Sequence, residues 1–375
     1  MNSFVNVKTA DKDLQFGPEK CKTMVVSKKQ VASFQNPELN VDAWNLSHEL
    51  NGDMLEEYIG KVRIENEESL VYLGHVLSND GSNMKNILHK RNKSIGTQKL
   101  IPKLIKYLGP YTFEAAIIYI KSLLRTSLLY GAETMFNLTE KELRAIEIVE
   151  ESVLQAVFQT KRSCSKHLLY LEAGMIPARY QVHRQMINFL QYILLQPKDS
   201  LINRVFFAQQ LNPTRGDWVG NITKLLEDYR INMTLTEIEN MKPSLFKNMV
   251  KKRVHEIAFE NLLIKKNSGQ KGLFIQYEKS EMAAYLSSKS NISVTHKLEM
   301  FAIRCEMNDL PSNFGNKTNC EMGCQNQIMN NEHMLSCPVL NSSPKKMNIL
   351  QILNGTNKQK IQGLNQFNEN NNRRK

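Results

Sequence analysis

Long apolar runs are missing from this 375-residue sequence. No segment reaches the roughly 18 to 20 uninterrupted apolar residues that a membrane helix needs, and the start, MNSFVNVKTADKDLQF, holds no apolar core of signal-peptide length. Both absences point to a soluble, intracellular chain, nuclear or cytoplasmic. Cysteine is scarce too. Six residues, in a chain of this size without a signal, read as thiols or metal ligands rather than a disulfide framework. The sequence has no Gly-rich phosphate loop, nucleophile elbow or His-Glu-x-x-His helix, so no small-molecule substrate is indicated.

The length allows two or three domains, each with its own core. With 41% hydrophobic residues the chain is not compositionally disordered, although the Asn- and Lys-rich tail after about residue 341 reads as loose. A formal charge of +12 and a pI near 9.3 favour an anionic partner, nucleic acid first and an acidic protein or membrane surface second.

Residues 1–80 read as mixed structure. KTMVVSKK is a short apolar run between basic residues, and residues 31–54 carry no period and read as a loop. KVRIENEESLVYLGHVLSNDG alternates apolar and polar residues around ENEE, like two strands joined by a tight acidic turn. From residue 82 the pattern is helical. One helix opens after Asp80-Gly81 and closes at Gly109-Pro110. YTFEAAIIYIKSLLRTSLLYG is apolar on most faces, as a helix buried in a bundle should be, and places Lys121 and Arg125 at i, i+4. LTEKELRAIEIVEESVLQAVF begins with Thr139 and Glu142 at capping-box spacing, and Leu143, Ile146, Val153, Leu154 and Val157 share a face. A second helical block follows KRSCSKHLL, broken by proline and glycine at NPTRG and KNSGQKG.

NCEMGCQNQIMNNEHMLSCP carries Cys320, Cys324, His333 and Cys337 with the spacing Cys-x3-Cys-x8-His-x3-Cys. Two ligand pairs on short turns can converge on one ion, and three thiolates with one imidazole make the closed tetrahedral shell of a structural Zn2+ site. The alternative is four unrelated reduced side chains. So polar a segment has little apolar surface to bury, and zinc would supply much of its folding free energy. His48, His75, His89, His167, His183, His255 and His296 lack such company and read as surface or satisfied core residues. Cys21, Cys164 and Cys305 read as small buried apolar residues.

SLVYLGHVLSNDG, SLLYGAETM, LEAGMIPARYQVHRQMINFLQYIL, NPTRGDWV, FAIRCEMNDLPSNFG and CEMGC…EHMLSCP stand in the order seen in the C-terminal part of reverse transcriptases of non-LTR (LINE-like) retrotransposons. Over residues 14–345 the chain most resembles the subgroup in which a Cys/His knuckle precedes a restriction-enzyme-like endonuclease. The resemblance implies that LQFGPEKCKTMVV matches the end of the palm. Tyr72, Leu73 and Gly74 match the hairpin that grips the primer terminus. Residues 82–158 match the thumb that holds the template-primer duplex, and 160–310 the helical linker. The sequence departs from the pattern as well. Polymerisation needs aspartates holding two Mg2+ ions, yet the chain has no Asp-Asp dipeptide and its nine aspartates are scattered. The resemblance implies an aromatic-x-Asp-Asp turn that belongs upstream of where the chain begins, and the 38 residues after Cys337 are too few for the endonuclease. Met135 stands where the family usually has tryptophan, and the first cysteine pair has a three-residue spacer where two is common.

If the thumb likeness holds, Lys85, Lys90, Arg91, Lys93, Lys99, Lys103 and Lys106 line one long helix with groups suited to phosphates, and Lys251, Lys252 and Arg253 form a second cluster. Solvated helix faces are the plainer reading of each. Tyr72 and Tyr107 are suited to stacking on a base or to the core.

The expected fold is mainly α. It has a small α+β palm remnant at 1–80, a thumb-like helical bundle at 82–158, a second helical block at 160–310, a small zinc knuckle at 311–340 and a polar tail at 341–375. The expected function is binding of a template-primer or RNA-DNA hybrid by a fragment that lacks the catalytic aspartates. Nucleic acid is the partner, with no membrane and no small molecule. Zn2+ is structural, and Mg2+ enters only with a palm encoded upstream. Three alternatives stand beside this reading: part of an RNA-directed DNA polymerase completed upstream, a non-functional element remnant, and a helical protein-interaction module.

Overall fold

The computed structural model describes residues 38–40, 61–63, 68–135, 137–160, 164–212, 216–269, 275–290, 292–307, 319–320, 324, 327–328, 330 and 333. KTMVVSKK, Cys21, His48, Cys337 and the tail after 341 lie outside the described residues. The chain divides into two compact units, Met1–His89 and Lys90–Lys375.

In the first unit, β1 (Glu38–Asn40) pairs antiparallel with β2 (Lys61–Arg63), Glu38 opposite Arg63. A second two-stranded antiparallel sheet joins β3 (Ser69–Tyr72) to β4 (His75–Ser78), Tyr72 opposite His75. Two expectations are corrected here. The stretch 31–54 is not all loop, because β1 lies in it; three residues are too few to show a period. The acidic ENEE is not a tight turn between paired strands either, since β2 pairs with β1 and not with β3. The tight turn is Leu73-Gly74, where φ is +47° and +81°. Positive φ at both turn positions is the type I′ geometry, whose twist matches that of the flanking strands, and Gly74 supplies one of the two without strain.

α1 (Met84–Ile105) begins in the first unit, where its first turn fastens the hairpin. Asn86 Oδ1 accepts from the Val76 amide at 3.2 Å, and Asn86 Nδ2 lies 3.4 Å from His75 Nδ1. α1 stops at Ile105 rather than at Gly109-Pro110, shortly after Pro102, which has no N–H to continue the ladder. Gly109, at φ +52°, turns the chain, and the Thr112 hydroxyl donates to its carbonyl at 2.6 Å.

α2 (Thr112–Tyr119) runs through a π turn (Ile120–Leu124) into α3 (Arg125–Leu128). Phe113, Ala116, Ile120, Leu124 and Leu128 are buried, but Ile118 and Leu123 are open to solvent. The stretch is therefore buried on one face, not on most, despite its composition. α4 (Glu140–Val157) starts with the expected capping box: the Glu142 amide donates to Thr139 Oγ1 at 3.2 Å, and Glu142 Oε2 accepts from the Thr139 amide at 2.8 Å. Its anticipated apolar face is buried.

α5 (Lys166–Ala173), α6 (Ala178–Leu194), α7 (Leu201–Leu211), α8 (Trp218–Asp228), α9 (Leu235–Asn240), α10 (Pro243–Asn267) and α11 (Val294–Arg304) complete the α-helices among the described residues. α6 is central, packing on α4, α8, α9 and α10. α10 turns a stripe of Phe246, Val250, Val254, Ala258 and Leu262 inward at four-residue spacing, the period that keeps side chains on one helical face. Phe158 stacks between Phe113 and Phe301, at ring-centre distances of 5.3 and 4.4 Å, and so ties α2 and α11 to the end of α4. Among the described residues, no helix is long and apolar enough to cross a membrane.

Buried charges are paired inside this core. Glu172 accepts from Arg304 Nε at 2.8 Å, from the Tyr285 hydroxyl at 2.8 Å and from the Tyr277 hydroxyl. Arg125 Nη2 donates to Glu150 Oε1 at 2.9 Å. The Lys297 ammonium, buried on α11, donates to the carbonyls of Ser287 and Leu286 at 2.8 and 3.2 Å. Such pairing is what lets a charged group stay inside, since an isolated buried charge costs far more than a hydrogen bond returns.

Candidate nucleic-acid interface and metal centre

The sequence from Asp80 to Glu114 contains no acidic residue between those two, and seven Lys or Arg. Most of this stretch is α1. Arg91, Lys93, Lys99, Lys103 and Lys106 are exposed, and none pairs with an acid among the described residues. Lys85 is also exposed, with its ammonium 3.6 Å from Glu68. Tyr107 and Tyr111 stand open at the end of the same stretch, 84% and 62% exposed.

Lys90 does not belong to this surface. Ile87, Lys90, Ser94, Ile101 and Ile105 fall on one helical face, and all five are buried. The Lys90 ammonium donates to the Tyr130 carbonyl and lies 5.8 Å from the centre of the Tyr130 ring. Burial lowers its pKa to about 8, against an opposing pull from Glu133. The expectation that Lys90 contacts phosphate is corrected on these grounds.

At the β3–β4 tip, Tyr72 and Leu73 are 65% and 73% exposed. A leucine with positive φ is strained. The matched Tyr-Leu-Gly thus forms a protruding, strained, largely apolar hairpin end.

Lys251, Lys252 and Arg253 are exposed on α10, as expected. Lys252 and Arg253 both approach Glu256, at 3.9 and 3.2 Å, whereas Lys251 has no acid partner among the described residues. Lys121 and Arg125 do not act as a pair. The wider π turn between them changes the helical phase, leaving Lys121 exposed while Arg125 is buried against Glu150. Burial, then the charges of Arg125 and Lys251, lower the Lys121 pKa. Burial, then Lys121 and Lys251, lower that of His255. Lys121 and Lys251 thus both act on His255 and on each other, with Glu150 opposing at Lys121 and Glu256 at His255. The sequence reading missed this grouping because Lys121 and Lys251 are 130 positions apart. His183, by contrast, is the satisfied core histidine expected of it. Its Nδ1 lies 2.7 Å from the Tyr229 hydroxyl, and burial pushes its pKa down to about 4.

Cys320, Cys324 and His333 converge, with ligand atoms within 4.8 Å of one another, so the group has what it needs to hold a metal ion. Asn319 and Ile328 form an antiparallel bridge, and the Cys320 amide donates to the Gln327 carbonyl at 2.8 Å. Asn330 Oδ1 accepts from the His333 amide at 2.7 Å and brings the imidazole back to the thiols. Cys320 and His333 are buried and Cys324 is half-buried. A tetrahedral ion with bonds of about 2.3 Å sets its ligands about 3.8 Å apart, which this spread accommodates. The fourth expected ligand, Cys337, lies outside the described residues.

No family model, no curated protein and no solved structure matches the chain.

Proposed function

We propose that this chain binds a template-primer or RNA-DNA hybrid duplex, as the thumb and linker part of a reverse transcriptase of the non-LTR retrotransposon kind. The carrying observation is α1 and its exit. Arg91, Lys93, Lys99, Lys103 and Lys106 are exposed and unpaired among the described residues, and no carboxylate in the stretch opposes them. From Arg91 to Lys106 a helix advances about 23 Å, the length of about seven stacked base pairs. Ammonium and guanidinium groups spread over that length neutralise phosphates without reading sequence. Tyr107 and Tyr111 add aromatic surface suited to a base or sugar. The exposed Tyr72-Leu73 tip supports the primer-grip likeness.

In this reading the metal is Zn2+, held by Cys320, Cys324, His333 and Cys337, and its role is to fold the knuckle. Three thiolates and an imidazole fill all four positions and leave none for substrate. The chain itself synthesises no polymer, because it has no Asp-Asp dipeptide to carry the paired ions.

Fluorescence anisotropy with a short RNA-DNA hybrid, at about 50 to 200 mM salt, tests the proposal. Binding that weakens with salt supports it. A folded, zinc-loaded chain that ignores the hybrid at low salt overturns it and favours a protein-interaction module.

A further inference from the structure

Phe158 closes α4, and its ring stacks on Phe301 of α11 with 4.4 Å between ring centres. Cys305, at the end of α11, stands one helical turn beyond Phe301, and its amide donates to the Phe301 carbonyl at 2.9 Å. The two side chains therefore share a face of α11. On the facing side, Cys164 follows Phe158 and immediately precedes Ser165, the N-cap of α5. The α4–α5 connection and the end of α11 thus meet twice, first as rings and then as thiols.

Cys164 and Cys305 are hydrogen-bonded to each other across 141 positions of sequence. The Cys164 thiol donates to the Ser165 carbonyl at 3.7 Å, which leaves its sulfur free to accept from Cys305. Both residues are buried and both are free thiols, and neither belongs to the Cys320, Cys324 and His333 group. Two cysteines suit a core as small apolar residues. Two that touch are also one oxidation away from a covalent bond.

We infer that Cys164 and Cys305 are a redox pair, which hydrogen peroxide closes into a disulfide that fastens the entry of α5 to the exit of α11. Cys164, at 4% exposure against 0% for Cys305, is the first to react. Its sulfur attacks the peroxide, the O–O bond breaks, and a sulfenic acid and one water result. The Cys305 sulfur then attacks that of Cys164. The S–S bond forms, the S–O bond breaks, and hydroxide leaves with the Cys305 proton as a second water. Two thiols and one peroxide thus give one disulfide and two waters. Burial, then the hydrogen bond with Cys164, hold the Cys305 thiol well above the usual thiol range, so the closure depends on contact rather than on a ready thiolate. Closure is accordingly slow, and the same burial shields the product from reductants. The inference is independent of the duplex reading, since neither thiol belongs to α1 or to the metal group.

The test incubates the full, zinc-loaded chain with hydrogen peroxide at levels that leave the zinc bound, then blocks remaining thiols by alkylation and maps peptides by mass spectrometry without reductant. The expected product is the Cys164 peptide joined to the Cys305 peptide, two hydrogens lighter than their sum and separated by dithiothreitol. The linked chain should melt higher by about 5 °C or more, because the bond closes a long loop in the unfolded state. Cys305→Ser, which removes the partner, should stop Cys164 at the sulfenic acid, where a 1,3-diketone traps it. That trapping is read by mass, so a modest loss of stability in the variant does not obscure it. Both thiols still alkylated after prolonged peroxide, or Cys164 joined to any cysteine other than Cys305, overturn the pair.

Discussion

The Lys90 ammonium donates to the carbonyl of Tyr130 and lies over its ring, forty positions away in sequence, inside the second unit. A cation on a helix whose other basic residues are exposed is thereby committed to the fold. Lys90→Met should leave hybrid affinity and its salt dependence unchanged, whereas Lys93→Gln should reduce both.

The same residue gives a pH dependence. Its folded pKa is about 8 against an unfolded value of 10.5. Between these values the unfolded chain holds a proton that the folded chain has released, so Lys90 makes stability rise with pH across that window. Below pH 8 the full cost of burying the charge is present. Denaturant titrations should show the stability difference between Lys90→Met and the native chain shifting between about pH 8 and 10.5, in the native chain's favour. A difference constant across that range contradicts the assignment.

Glu172 and Arg304 are closed to solvent and hold each other across 132 positions, with two tyrosine hydroxyls on the same carboxylate. Glu172→Gln should destabilise by about 3–5 kcal/mol, because Arg304 would be left buried without its counter-charge. Glu172→Leu combined with Arg304→Met should cost clearly less than the two single changes added together. An additive cycle measured by urea unfolding would mean that the pair is not coupled.

Gly174 ends α5 at φ +60°, where a Cβ would lie 2.0 Å from the Met282 amide nitrogen and 2.3 Å from the Glu281 carbonyl carbon. Neither neighbour can yield without moving backbone. Gly174→Ala should therefore cost well over the roughly 1–2 kcal/mol that left-handed backbone alone charges a Cβ, visible as a large fall in melting temperature. A neutral substitution would mean that the 281–282 segment does not pack there.

The metal group carries its own test. Zinc content by mass spectrometry should be lost in Cys320→Ser, Cys324→Ser and Cys337→Ser, and kept in Cys164→Ser and Cys305→Ser, whose thiols are buried away from it. Cobalt in place of zinc should give the intense visible absorption of a tetrahedral thiolate site. Loss of Cys337 without effect on metal would remove it from the ligand set.

Local features were the legible ones. Thr139 and Glu142 announce their cap because both partners sit within one turn, and Gly109 marks a reversal because few other residues accept its φ. Cys320, Cys324 and His333 were legible because ligand chemistry and short spacing coincide. Lys90 was not, because a tally of charges ignores helical phase, and Ile87, Ser94, Ile101 and Ile105 share its face. The buried Glu147, Glu150, Glu151 and Glu172 look like surface residues in sequence. Their partners Arg179, Arg125, Arg144 and Arg304 lie on other helices or a turn or more away. The hairpin at Leu73-Gly74 was legible only through the resemblance, because the alternation of apolar and polar residues pointed to the more polar ENEE as the turn, although Gly74 offers positive φ without cost.

The most direct measurement is the slope of log affinity against log salt for an RNA-DNA hybrid, comparing the native chain with one carrying Gln at 91, 93, 99, 103 and 106. If these residues grip phosphates, each one lost should make the slope shallower by about 0.7 to 0.9, so the native slope should exceed the variant's by about 3 to 5. Equal slopes, with both chains folded and zinc-loaded, would contradict the account, because the acid-free helix would then not be where the duplex is held.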